Sequence, residues 1–415
     1  MNVTKFFSPY LTSIVIYFLF LNVYEIVSIH FGYWGFTNQL NYTNVFISII
    51  IIIIFINLFF QNSKNDLVHV FKFYWFYFVV IPVLVLFSCE TVPFLLLSIH
   101  IFYFSFICIL FSLKRSILIK PIFLKRFAFR NSINLFLFIT IVLFIPFLFF
   151  GEGFNWKAFN VLNVYEIRLE SREISNPIIG YIKEVCSRVF LPILLVYGIL
   201  KRNIIYIIIA IFGIIYIYAS TGALKSILVV IPVVLLFINS KDYFNIKNKL
   251  LFLIFVLLIL PLFEYYYVGT YFLTDLPVRR LFFVPGLFEA SYLEEFVSDP
   301  QFYSNGFLRS FNDKPYSMTK HIGGKYFGKP DMNANVGLVI GGFINLNFIG
   351  VALHALVVYV CLAFINGLKV KPQYFGILFV YFYYFNTSFI GTLFLTHGFL
   401  ALIYTLYIFY DNEKS

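Results

Sequence analysis

Two pairs of arginines are the residues of this 415-residue chain best suited to chemistry. Arg168 and Arg172 are one helical turn apart, and on a helical wheel they share a face that the neighbouring glutamates avoid. Arg279 and Arg280 are adjacent, and the apolar run 281–285 follows them at once, which predicts a position at a membrane surface. A guanidinium presents a planar fork of N–H donors that suits a phosphate. We therefore predict that these four arginines bind a phosphate, although a surface helix with ordinary ion pairs is the alternative for the first pair.

The longest polar stretch of the chain, residues 269–335, is rich in both charged and aromatic residues. Long loops are usually either functional or disordered, and the density of aromatic and aliphatic residues indicates order here. We therefore predict an ordered cap that carries most of the chemistry. His321 is its only histidine and is the predicted general base. Three further residues of the cap are predicted to bind substrate: Tyr292, Arg309 and Lys325.

Two basic residues outside the cap are also predicted to bind substrate. Arg188 lies 13 residues before the basic end of its apolar segment at Lys201, about 20 Å along a helix. An ionisable group at such a depth in a membrane usually faces a polar cavity, and an ion pair with Glu184, one turn earlier, is the structural alternative. Lys225 follows a polar turn at the outer end of a helical hairpin, on the same side as the arginines.

The composition indicates the elements that position these residues. Hydrophobic residues make up 61% of the chain and charged residues 12%, with a mean hydropathy of +0.91, whereas soluble domains carry about twice that charge. The predicted fold class is all-α, a polytopic membrane protein with about twelve transmembrane helices. Their predicted positions are 10–29, 44–60, 73–88, 93–112, 132–150, 178–200, 204–219, 226–239, 250–268, 346–365, 374–391 and 393–410.

The charges of the short loops predict the orientation of these helices. Lysine and arginine are concentrated in the loops on one side, and the alternate short loops are nearly free of them. By the positive-inside rule the basic side is cytoplasmic, so both termini are cytoplasmic and both long loops lie outside. The predicted division is 1–150 with helices 1–5, 151–177 as a first large periplasmic loop, 178–268 with helices 6–9, 269–335 as the active-site loop, and 336–415 with helices 10–12.

The net charge of +11 reflects this orientation rather than nucleic-acid binding. The stretch 269–335 holds seven basic and seven acidic residues, so the excess of positive charge lies on the predicted cytoplasmic side. The sequence shows no Cys/His zinc spacing, Walker loop or dinucleotide fingerprint. We therefore predict no metal site, no cofactor and no nucleic-acid partner.

Several stretches, taken in order, resemble a known family. They are Tyr165–Arg172, Gly180–Tyr181, Thr221–Gly222 with Lys225, Arg279–Gly286 with Tyr292, Lys325–Gly328, and Asn333–Gly350. Their order and spacing are similar to those of the Wzy-type O-antigen polymerases, the oligosaccharide repeat-unit polymerases. The resemblance covers about the second half of the chain, and residues before 150 match in hydropathy alone.

The resemblance implies a GT-C-like fold and a metal-independent glycosyltransferase of the bacterial inner membrane. Such enzymes move a growing glycan from undecaprenyl pyrophosphate to a new lipid-linked repeat unit on the periplasmic face, and so build O-antigen or capsular polysaccharide. Arginines of the two large outer loops are their usual essential residues, which here are the four named above. The implied partners are the undecaprenyl-pyrophosphate-linked oligosaccharide, membrane lipids, a chain-length regulator and a flippase.

Other classes share the overall plan. A flippase or transporter for the same lipid-linked sugar suits twelve helices, but transporters place polar sites near the membrane midplane on broken helices. An O-antigen ligase has the same arrangement of helices and loops. A membrane acyltransferase is expected to place a histidine near an early helix, where this chain has His30.

Overall fold

The computed structural model describes residues 9–59, 66–113, 129–150, 153–160, 167, 177–222, 224–306 and 308–409. The regular elements within these ranges are helical, as predicted. The α-helices, numbered in chain order, are α1 (Pro9–Phe31), α2 (Tyr42–Phe59), α3 (Leu67–Ser88), α4 (Phe94–Ser112), α5 (Phe129–Phe150), α6 (Pro177–Val185), α7 (Leu191–Leu200), α8 (Ile204–Ser220), α9 (Lys225–Phe237), α10 (Tyr243–Val268), α11 (Val284–Phe296), α12 (Met318–Phe327), α13 (Leu338–Gly367), α14 (Phe375–Thr387) and α15 (Phe399–Phe409).

Five of these helices are long and apolar enough to cross a membrane: α1 with its 3₁₀ extension to Trp34, α3, α4, α10 and α13. The chain is thus a helical membrane protein. Shorter apolar helices, among them α2, α5, α8, α9 and α15, coincide with further predicted segments. The expected count of twelve crossings stays a prediction.

The chain forms two compact units. The first unit contains Met1–Ser116, Tyr243–Leu362 and Tyr384–Ile390, and the second contains Ile117–Asp242, Ala363–Tyr383 and Gly391–Ser415. In the first unit α3 is buried along almost its whole length, with His69 partly exposed. In the second unit an apolar core forms around Phe147, Cys186 and Ile217.

The predicted cap lies in the first unit and is largely helical. A π-helical segment, Thr274–Phe283, leads into α11, and α12 follows after a stretch of turns. The apolar residues after the arginine pair bind the π-helical segment to α1: Phe282 packs on Phe20 with ring centroids 4.8 Å apart, and Phe283 packs on Tyr24 at 5.2 Å. This packing positions Arg279 and Arg280 beside the end of α1.

Helix α13 is broken and folds back on itself. Leu346 and Asn347 have non-helical backbone angles. A Cβ atom on Gly350 would lie 2.0 Å from the carbonyl oxygen of Gly342, although eight residues of continuous helix would separate the two by about 12 Å. The two parts of α13 therefore lie side by side as a hairpin, with glycines where the backbones meet.

The first arm of this hairpin ends against residues of the predicted cap, which bond to its last residues. The N–H groups of Gln301 and Phe302 donate to the carbonyls of Ile344 and Asn345 at 2.8 and 3.3 Å. The N–H of Tyr303 donates to the Asn345 side chain at 2.6 Å. These bonds satisfy carbonyls that a helix terminus leaves without partners.

The glycine contact predicts a large and local effect on stability. Gly350→Ala places a methyl group against backbone that cannot rotate away, so we expect a loss of about 3 kcal/mol in the free energy of unfolding, the upper part of the range for overpacking. Gly367→Ala is the matched control, because its Cβ would meet nothing within 4 Å. Equilibrium unfolding in mixed micelles measures both, and equal stabilities for the two variants would contradict the hairpin.

Candidate functional site

Arg279 is a buried cation at the junction of the cap and α1. Its side chain is 5% exposed, and Nε donates to Oδ1 of Asp275 at 3.0 Å. Nη2 donates to the same oxygen, and no described residue accepts from Nη1. The guanidinium carbon lies 4.2 Å from the ring centroid of Phe31 and 5.1 Å from that of Trp34. Burial, an ion pair and two aromatic rings therefore hold this guanidinium in one place.

Trp34 brings a second cation to the same place. The ammonium nitrogen of Lys329 lies 4.9 Å from the Trp34 ring centroid, and the ring of Phe327 packs on the indole at 5.7 Å. Lys329 follows Gly328, whose φ of 63° ends α12. Arg280 is exposed and makes no hydrogen bond or ion pair with a described residue. We call Arg279, Lys329 and Trp34, together with Arg280 as the chain neighbour of Arg279, the cation site.

A second polar cluster lies at the start of α12. The Glu295 carboxylate is 2.8 Å from Nε2 of His321 and 3.0 Å from the hydroxyl of Tyr326, and it also pairs with Lys325. Ionised carboxylates only accept hydrogen bonds, so Nε2 of His321 is the donor. In the neutral imidazole, Nδ1 is then the basic nitrogen. The His321 side chain is 39% exposed, so an oriented imidazole faces solvent.

The cation site and the Glu295–His321 pair lie toward opposite ends of one helix. His321 and Phe327 are six residues apart on α12, about 9 Å along the helix axis.

The other cap residues with predicted roles are placed differently. Tyr292 is fully buried, its hydroxyl donates to the carbonyl of Ala334 at 3.0 Å, and burial raises the pKa of its phenol. Arg309 is exposed and forms no ion pair with a described residue. Helix α11 is anchored to α4 by a buried pair, in which Glu289 Oε2 lies 2.8 Å from His100 Nε2.

In the second unit Arg188 has protein partners. Its Nη2 lies 2.6 Å from Oε2 of Glu184, and its Nη1 donates to Nδ1 of His397 at 2.7 Å. The Tyr381 hydroxyl donates to the His397 carbonyl at 2.9 Å. This is the ion pair that the structural alternative predicts, with a histidine added. Lys225 is exposed at the first residue of α9.

The first predicted arginine pair, Arg168 and Arg172, lies outside the described residues. Among the residues that the structure describes, no group of three or more His, Cys, Asp and Glu side chains is arranged to hold a metal ion. His30, singled out for an acyltransferase, stacks on Tyr271 with ring centroids 4.1 Å apart, and its Nε2 is buried without a hydrogen bond to a described residue.

Sequence reasoning missed four residues of these clusters: Trp34, Glu295, Tyr326 and Lys329. Trp34 lies far from the cap in the chain, in a loop without charge, so no local signal pointed to it. Glu295 was one of several acids in the cap with nothing to distinguish it. Glu295 becomes the centre of the cluster because α12 folds back over α11 and brings His321 and Lys325 to its carboxylate.

Comparison of the chain with protein-family models, with curated proteins and with solved structures finds no match. The resemblance to the repeat-unit polymerases therefore rests on the sequence stretches given above alone.

The Glu295 cluster predicts a dependence of stability on acid pH. The hydrogen bond from Lys325, followed by those from His321 and Tyr326, lowers the pKa of Glu295 from 4.5 to about 2, against the opposing effect of partial burial. A lowered folded-state pKa means that the stabilisation is fully present above pH 4.5 and is lost as the pH falls towards 2. We expect the stability difference between wild type and Glu295→Gln to shrink over that window.

Thermal unfolding in detergent between pH 2 and 6 measures this difference. Glu294→Gln is the matched control, because Glu294 is exposed and adjacent and lies outside the cluster. A difference for Glu295→Gln that stays constant from pH 6 to pH 2 would contradict the assignment.

Proposed function

We propose that the protein is a polymerase of undecaprenyl-pyrophosphate-linked oligosaccharide repeat units, a metal-independent glycosyltransferase. The observation that carries the proposal is the cation site, in which Arg279 and Lys329 are both held within 5.1 Å of the Trp34 ring centroid. A diphosphate, whose charge is spread over two phosphates, is an anion that two cations arranged around one ring suit. Three of the stretches that resemble the polymerases, Arg279–Gly286, Lys325–Gly328 and Asn333–Gly350, also lie in this unit.

The cation site supplies the electrostatic part of the reaction. The acceptor hydroxyl oxygen attacks the anomeric carbon of the growing glycan, and the bond from that carbon to the pyrophosphate oxygen breaks. Negative charge develops on the leaving pyrophosphate, and fixed cations lower the barrier by stabilising it. The preset position of the Arg279 guanidinium avoids reorganisation during the reaction. Arg168 and Arg172 of the first outer loop are retained as proposed catalytic residues.

His321 is the proposed general base. Glu295 holds Nε2 and so presents Nδ1 to solvent, where it accepts the proton of the attacking hydroxyl. The ionised Glu295 then stabilises the imidazolium that forms. Arg188, Lys225, Tyr292, Arg309 and Lys325 are retained as proposed substrate-binding residues, with Arg188 and Tyr292 acting through the protein groups that they contact.

The proposed setting is the bacterial inner membrane, with twelve crossings in a GT-C-like arrangement, both termini cytoplasmic and the cap in the periplasm. The excess of basic residues on one side supports this orientation. In a cysteine-free background, Ser310→Cys in the cap should react with an impermeant thiol reagent in spheroplasts, and Lys241→Cys should not. The reverse labelling would contradict the orientation.

A lipid-linked sugar flippase is the second candidate, and the break in α13 favours it. Transporters place polar sites on broken helices. Here the freed carbonyls at the break are bonded to Gln301 and Phe302, so they are occupied by protein. Deletion of the gene separates these candidates: a polymerase mutant keeps surface glycans with a single repeat unit, whereas loss of that unit too indicates a flippase or a ligase.

The cation site predicts the effect of removing single charges. We expect Arg280→Ala and Lys329→Ala each to slow glycan transfer about a hundredfold or more, because a desolvated phosphate clamp contributes several kcal/mol. An ordinary surface pair contributes at most about 1 kcal/mol, about fivefold in rate. Arg280→Lys should recover part of the rate, since it keeps the charge but loses the fork. EDTA should leave the rate unchanged.

The assay uses purified protein in liposomes with lipid-linked repeat units, scored by the growth of a glycan ladder. Lys314→Ala is the control, an exposed cation of the same cap outside both clusters. Rates within fivefold of wild type for both alanine variants, or loss of activity with EDTA, would rule out the proposed clamp.

A further inference from the structure

Phe302 and Tyr303 adopt backbone conformations that their side chains disfavour. Their φ angles are 47° and 60°. The N–H of Ser304 donates to the carbonyl of Gln301 at 2.8 Å, so these two residues are the centre of a β-turn with positive φ at both positions. Asparagine and glycine are the usual residues in such a turn. Two successive aromatic residues there are strained, and strain of this kind is concentrated at functional sites.

The Tyr303 side chain is explained by contacts within the protein. Its hydroxyl lies 2.9 Å from Nε2 of the buried His354, and Nδ1 of His354 lies 2.7 Å from the carbonyl oxygen of Leu338. A carbonyl oxygen only accepts, so Nδ1 carries the proton of the neutral ring, and Nε2 accepts from the tyrosine. This chain of hydrogen bonds fixes the turn to the α13 hairpin.

The Phe302 side chain has no such explanation. It is 60% exposed, and its ring makes no contact with another described ring. Its backbone N–H caps α13, but asparagine or glycine would supply the same N–H without strain. The exposed Phe302 ring is therefore a candidate contact for a ligand.

Residues next to Phe302 in the chain carry hydrogen-bonded amide side chains. Asn305 donates to the Gln301 side-chain oxygen at 3.1 Å, and Asn312 donates to the Asn305 side-chain oxygen at 3.3 Å. Polar side chains of this kind are costly in lipid, so this row of amides is expected to face water. A sugar ring has an apolar C–H face that packs on an aromatic ring, and hydroxyl groups that bond to amides.

We infer that Phe302 is the stacking platform of a glycan subsite that takes a neutral sugar ring of the oligosaccharide. The inference rests on the proposed function, and it adds to the cation site a contact with the uncharged part of the substrate. The Tyr303–His354 contact and the hairpin cap hold the platform in its strained position, so the ring is ordered before the sugar arrives.

The test combines stability with binding. Phe302→Asn places a residue that tolerates positive φ, so we expect an equal or higher melting temperature, together with at least about tenfold weaker binding of oligosaccharide. Phe302→Trp should bind within about threefold of wild type, since it keeps an aromatic face. Phe311→Asn is the matched control, an aromatic residue of the same cap that is 86% exposed, and it should bind as wild type does.

The probe is the lipid-free repeat-unit oligosaccharide, released by mild acid from the lipid carrier of the source cells and titrated against protein in nanodiscs. A lower melting temperature for Phe302→Asn, or unchanged binding, overturns the inference. Quenching of the Phe302→Trp fluorescence by brominated acyl chains also overturns it, because the ring would then lie in lipid. If wild type extends a glycan ladder while Phe302→Asn binds the oligosaccharide normally, the glycan subsite is overturned and the proposed function is not. If wild type neither binds the oligosaccharide nor extends a ladder, the proposed function fails as well.

Discussion

The ion pair between Arg279 and Asp275 is the interaction on which the site in the first unit depends. A buried guanidinium is tolerated when it is paired, and here Asp275 pairs with it while the rings of Phe31 and Trp34 cover it. The paired guanidinium, through these two rings, therefore joins the start of the cap to the end of α1. Because Lys329 also lies over Trp34, the same indole ring connects the far end of the cap to that point.

The rest of the cap follows from the need to satisfy polar groups where helices end. The broken end of α13 is completed by the backbone of residues 301–303, and Tyr292 bonds to the carbonyl of Ala334. Glu295 collects His321, Lys325 and Tyr326. Each of these bonds joins segments distant in sequence, and together they give a region of balanced charge an ordered surface that presents cations, an imidazole and an aromatic ring.

Local signals in the sequence predicted the helices and part of the site. The apolar segments coincide with helices. The predicted start of one segment at residue 346 falls at the break in α13, so the second arm of the hairpin was predicted as a helix. The first arm, residues 338–345, was not predicted. Glu184 was identified as a partner of Arg188 because the two are one turn apart. His397, which completes that cluster, lies 209 residues away from Arg188. Trp34, Glu295 and Phe302 were missed for the same reason, since their roles arise from contacts that only the tertiary fold creates.

The measurement that tests the central claim most directly is the affinity of the purified protein for undecaprenyl pyrophosphate, compared with undecaprenyl monophosphate, in wild type and in Trp34→Leu. The indole contacts both Arg279 and Lys329, so its loss should release Lys329 and leave Arg279 held by Asp275 and Phe31 alone. The account predicts that wild type binds the pyrophosphate carrier more tightly than the monophosphate carrier, and that Trp34→Leu weakens pyrophosphate binding by about tenfold or more while changing monophosphate binding less. Equal affinities of wild type for the two carriers, or an unchanged pyrophosphate affinity in Trp34→Leu, would contradict it.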